Sequence, residues 1–161
     1  MDVKLENVRD VLSIDIGVGD VVEPEIRKIQ LLEVKDTPLF EKEISLNAYP
    51  PEGIFAEKLE AIFYRGSTTS RMKDYHDILL MIRHSTLLDV EKTRHCVNAT
   101  FKNLGTDLKL PLSFSAEGLD ALQKYWAAHR RGLGRSADKL SLPEKIHQVV
   151  FEINACLGEV F

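Results

Sequence analysis

"YPPEGIFAEKLEAIFYRGSTTSRMKDYHDILLM", residues 49–81, decides the fold and holds the first candidate site. Wound as a helix from Pro51, its first part sets Ile54, Phe55, Leu59, Ile62 and Phe63 on one arc, the spacing of a helix that buries one face. Lys58 falls inside that arc, between Ile54 and Ile62. A lysine there is costly unless its ammonium meets a carboxylate or a ligand, because a buried unpaired charge shifts its pKa or disrupts packing. In the next stretch, Ile78 and Ile82 follow Asp74 on nearly the same side, and Tyr75 and Leu79 complete an apolar arc. Two opposite charges, Lys58 and Asp74, therefore both look inward. Periodicity leaves two readings open: a structural ion pair tying adjacent helices, or a charged site that takes a ligand.

Arg71 and Lys73 flank Asp74 at the helix start, where positive side chains oppose the helix dipole. Such residues suit a bound anion, for example a phosphate, or else form a solvated basic turn after "GSTTS". Asp77 lies one turn after Asp74 and either shares its site or pairs with Lys73. Asp15, with isoleucine on both sides in a strand-like stretch, would help hold a divalent cation if other carboxylates stand on a neighbouring strand. Otherwise it faces solvent. His76 and His84 lack partners at zinc-ligand spacing, and His95 and His129 read as isolated helical histidines. Arg130, Arg131 and Arg135 would reach RNA phosphates or simply end a solvated helix.

Working outward, "VLSIDIGV" (11–18), "KIQLLEV" (28–34) and "PLFEKEISL" (38–46) read as strands, the last two separated by the turn-like "KDTP". From Pro50 onward the pattern is helical. Helices are expected over "MKDYHDILLMIRH" (72–84), "VEKTRHCVNATFKNL" (90–104) and "SAEGLDALQKYWAAHRR" (115–131). A last one, "LPEKIHQVVFEINACLGEV" (142–160), would open on a Ser141/Glu144 capping box. The fold class is α+β, a short β region followed by a helical bundle. So few strands make a meagre sheet that needs a covering layer or more strands.

The 161 residues suffice for one domain with a real core, and 44% hydrophobic with 29% charged content is ordinary for a soluble protein. No segment reaches the length of an apolar membrane span, and "MDVKLENVRDVL" has no secretory character. A cytoplasmic protein is expected. Cys96 and Cys156 sit in apolar helical patterns, as reduced thiols do. A net charge of −4 argues against a general nucleic-acid coat.

Taken together, "SIDIGVGDVVEP" (13–24), "YPPEGIFAEKLEAI" (49–62) and "SRMKDYHDILLM" (70–81) resemble the abortive-infection nucleotidyltransferase toxins of the AbiEii/AbiGii family. The resemblance runs from about residue 11 to 83, and "YWAAHRRG" (125–132) fits the family's helical C-terminal part more loosely. It implies a DNA polymerase β-like nucleotidyltransferase fold, with residues 1–48 as the last strands of its core and 49–161 as a helical region. It further implies an NTP substrate, Mg2+ as cofactor, an RNA acceptor such as tRNA, and an antitoxin partner in a type IV toxin–antitoxin system. On this pattern Asp15 corresponds to a metal-binding carboxylate, Lys58 contacts the triphosphate, Arg71 and Lys73 bind nucleotide, and Asp74 completes the catalytic set.

The family's first motif, a Gly-Ser turn before an Asp-x-Asp strand, belongs ahead of Asp15, and "MDVKLENVRDVL" does not match it. The expectation is a form inactive alone, either truncated or split, and in the split case an N-terminal half supplied as a separate chain would dock on a strand edge near residues 11–16. The alternative is a non-catalytic helical module that binds an antitoxin or RNA.

Overall fold

The computed structural model describes residues 2–5, 8–11, 24–30, 33–34, 37–38, 43–84 and 86–161. Its described strands are β1 (Asp2–Leu5), β2 (Val8–Val11), β3 (Glu25–Gln30), β4 (Glu33–Val34), β5 (Thr37–Pro38) and β6 (Glu43–Ala48). They pair antiparallel as β1 with β2, β3 with β6 and β4 with β5. The two expected strands around "KDTP" thus pair antiparallel in two described stretches, β3 with β6 and β4 with β5, with Ile29 opposite Ile44 and Arg27 opposite Leu46. The β1–β2 hairpin falls where no strand was expected, and the body of "VLSIDIGV", Asp15 included, lies outside the described residues. On the β3–β6 ribbon Ile26, Ile29, Ile44 and Leu46 are exposed.

Helices follow: α1 (Pro51–Arg65), a 3-10 turn (Gly66–Thr68), α2 (Met72–Arg83), α3 (Val90–Leu104), α4 (Ala116–Leu133), α5 (Arg135–Lys139) and α6 (Ile146–Val160). The α+β order expected from the sequence is what the chain adopts. α1 begins on Pro51, whose fixed φ and missing N–H suit a first turn. It ends at Gly66, with φ 56°. Asp89 caps α3 by accepting from Lys92 N at 2.9 Å, and Gly105 closes it in the left-handed conformation at φ 69°.

The core is built from the helices. Phe55, Leu59 and Ile62 of α1 meet Tyr75, Ile78 and Leu79 of α2, Val97 and Phe101 of α3, Leu122 and Trp126 of α4, and Val149, Ile153 and Leu157 of α6. Fully burying each large side chain contributes about 1.5–3 kcal/mol, so this cluster dominates the cohesion of the bundle. Two buried glutamates of α1 align α3 beside it. Glu52 accepts from Asp89 N at 3.0 Å at the start of α3, and Glu60 accepts from Thr106 just past its end. The two contacts come in the same order along both helices, so α1 and α3 run in the same direction. Among the described residues, no helix is long and apolar enough to cross a membrane.

The last helix departs from expectation. Ser141 takes a left-handed φ of 51°, and α6 starts only at Ile146 without a side-chain cap from its own segment. The capping box does not form; instead Gln123 of α4 accepts from Ile146 N at 2.9 Å and donates to Glu144 O at 3.1 Å. A long-range side chain thus satisfies the first orphan donor of α6, and no local serine caps it.

Candidate functional site

α1 and α2 pack as neighbours joined by the polar turn 66–71. That turn lies hard against α4: a Cβ at Gly118 would come within 2.9 Å of Ser67 Cβ, so only glycine allows the approach. The packing brings the one lysine on the apolar side of α1 against the first turns of α2. Lys58 Nζ donates to Asp77 Oδ2 at 2.7 Å and to Asp74 Oδ1 at 3.4 Å. The other Asp74 oxygen lies 3.5 Å from Arg71 Nε. Asp74 is nearly closed off, with 10% of its side chain exposed, whereas Lys58 and Asp77 keep 22% and 26%. Arg71 and Lys73 are exposed at the start of the same helix.

Burial works against the Lys58 charge, but the hydrogen bond to Asp77 and the fields of Asp77 and Asp74 outweigh it, and its pKa is raised. The ammonium is therefore firmly protonated and aimed into a small acidic cradle that opens to solvent. Chemically, such a group can exchange a carboxylate for a phosphate oxygen without a change of protonation. The adjacent Tyr75 hydroxyl has its pKa raised, by burial and then by Asp74. Among the described residues, Tyr75 Oη, His76 Nε2 and Arg130 Nε are buried without a hydrogen-bond partner.

The structure thus brings together Lys58, Asp74 and Arg71 as the sequence led one to expect, and puts Asp77 rather than Asp74 closest to the lysine. Asp77 does not take Lys73 in its place. The signal was legible: Asp74 and Asp77 stand at i and i+3, which share a helix face. His129 corrects a second expectation, since it is not isolated. Its Nε2 lies 3.2 Å from His76 Nδ1, and its ring stacks on Trp126 with centroids 5.6 Å apart. No spacing rule links residues 53 apart. Arg130 lies near Asp138, at 3.5 Å.

Asp74 and Asp77 are both committed to an ammonium, and among the described residues no three His, Cys, Asp or Glu side chains gather as ligands. The described residues by themselves do not fit a divalent cation. Asp15, the expected metal-binding carboxylate, lies outside them.

A family model described as the nucleotidyl transferase AbiEii toxin of type IV toxin–antitoxin systems matches residues 2–149. No curated protein and no solved structure matches the chain. The match takes in the β region, the Lys58 arc and the Asp74–Asp77 turn alike, and the chain belongs to the AbiEii family of nucleotidyltransferase toxins.

Proposed function

We propose that these 161 residues supply the lysine–aspartate half of a nucleotidyl-transfer site. The observation that carries this reading is the charged Lys58 held between Asp77 and Asp74 on the otherwise apolar contact of α1 and α2. Lys58 binds the NTP triphosphate, Arg71 and Lys73 add phosphate contacts at the start of α2, and Asp74 orients Lys58 or the attacking hydroxyl. Fixed positive charge offsets the charge that spreads over the transferring phosphate.

Asp15 is this chain's metal-binding and catalytic carboxylate. Mg2+, when bound, would neutralise the phosphates further and align the attacking oxygen. Residues 1–48 form the last strands of the nucleotidyltransferase core and 49–161 its helical region. The acceptor is an RNA, with tRNA the first to test, and an antitoxin protein restrains the activity in the cytoplasm.

The Gly-Ser…Asp-x-Asp element comes from outside these residues. Exposed Ile29, Ile44 and Leu46 on the β3–β6 ribbon support this, since a nucleotidyltransferase core would cover them. The test is transfer of labelled nucleotide to tRNA by residues 1–161, alone and with a polypeptide carrying that element. The expected result is no transfer alone and Lys58-dependent transfer with it. Robust transfer by these residues alone would overturn the split-site reading, and nucleotide binding indifferent to Lys58→Met would favour a non-catalytic module that binds antitoxin or RNA.

A further inference from the structure

Next to the Lys58 cradle along α2 stands a titratable pair that the nucleotidyl-transfer reading does not use. His76 sits on α2 directly before Asp77, is 8% exposed, and meets His129 of α4 through an Nδ1–Nε2 contact of 3.2 Å. The rings approach edge to face, with centroids 5.3 Å apart. His129 is fixed from its other side by the stack on Trp126, whose Nε1 donates to Pro143 O at 2.8 Å. The pair is thus clamped between α2 and α4 one residue from the carboxylate that holds Lys58.

Among the described residues, few charges act on it. Asp77 and Lys73 act on His76, while His76 and Asp77 act on His129. From α1 the cation beyond Asp77 is Lys58; on α4 Arg130 lies toward Asp138, and on α6 Glu152 is engaged by Arg83 at the far end of α2. Among the described residues, Asp77 is therefore the acid shared by the histidine pair and the lysine.

We propose that His76 and His129 are a positioning couple for Lys58, acting through Asp77. When the pair takes one proton from solvent, the N–H···N contact between the two rings becomes charge-assisted. The new positive charge draws on the Asp77 carboxylate, weakens its hold on the Lys58 ammonium and leaves that ammonium freer to meet phosphate. A second proton would set two imidazoliums against each other, so the pair takes up one. Burial lowers both pKa values and, for His129, the His76 ring adds to this, which keeps the pair neutral at neutral pH and puts the change on its acid side. The functional consequence rests on Lys58 being the triphosphate-binding lysine; the coupling itself does not.

Lys58 15Nζ NMR, with the resonance identified by its loss in Lys58→Met, tests the coupling between about pH 8 and about pH 5.5. The signal is expected to move together with the histidine ring signals in the native chain. It should stay still in His129→Gln, whose amide keeps a polar group near the Nε2 position, and in His76→Asn, which does so near Nδ1. A Lys58 signal that ignores the histidine titration in the native chain overturns the proposal, with no variant needed. Calorimetry with ATP or GTP is the second arm. Native affinity should rise on the order of three- to tenfold over that range relative to His129→Gln, a comparison that removes the nucleotide's own titration. Equal pH profiles would leave the histidines a packing role only and overturn the proposal. If Lys58 tracks the histidines but the native chain binds no nucleotide, the coupling stands and the nucleotidyltransferase reading falls.

Discussion

Lys58 Nζ lies 2.7 Å from Asp77 Oδ2, well inside its 3.4 Å separation from Asp74 Oδ1. A charge-assisted bond weakens steeply with such lengthening, so Asp77 is the lysine's main anchor and Asp74 divides its charge between Lys58 and Arg71. A double-mutant cycle resolves this. Lys58→Met with Asp77→Asn should show a coupling of about 1 kcal/mol, and Lys58→Met with Asp74→Asn less than about half of that. Denaturant unfolding provides the measurement; equal couplings would contradict the assignment.

Lys58→Met should preserve the fold, because methionine fills the lysine's aliphatic volume and removes only the charge. Asp74 and Asp77 then lose a partner while partly buried, at a predicted cost of about 1–2 kcal/mol after allowing for their contact with water. Thermal shifts with NTP and magnesium should disappear in this variant. Unchanged nucleotide stabilisation would remove Lys58 from the site.

Asp15→Asn keeps shape and deletes one charge. If Asp15 binds metal, magnesium- or manganese-dependent nucleotide binding should weaken while metal-free binding stays nearly constant. Titration calorimetry with and without the metal makes the comparison, and equal losses in both would assign Asp15 a structural role.

Acid should destabilise the bundle through the histidine pair. Both pKa values are lowered, first by burial, from an ordinary value of 6.5. The folded chain then binds fewer protons than the unfolded one just below that value. Stability from the neutral pair is full above the unfolded histidine pKa and is lost as pH falls through the folded values. Urea midpoints at about pH 7.5 and about pH 5.5 should differ less in the His76→Asn/His129→Gln double variant than in the native chain; an undiminished difference would assign the acid sensitivity to other groups.

Much of this was written locally. Prolines at 50 and 51, the apolar arcs of α1 and α2 and the glycine stop at 105 mark helices through backbone preference and periodicity alone. The inward Lys58 and Asp74 were visible for the same reason, since a helix fixes which residues share a face. Asp77 was visible too, but choosing between it and Asp74 needed a distance between two helices. The Ser141/Glu144 motif misled because a left-handed Ser141 and a long-range Gln123 cap displaced the helix start to Ile146.

By itself the sequence determined α1 to α4, the α+β order and a charge set in an apolar helix face, because these follow from spacing along one chain. Only the tertiary structure decided which carboxylate anchors Lys58, that Gly118 lets the 66–71 turn close on α4, and that His129 meets His76. Those contacts join residues 19, 51 and 53 apart. They exist because burying Phe55, Tyr75 and Trp126 in one core sets the helices side by side, and polar partners are then chosen by what that packing leaves within hydrogen-bond reach.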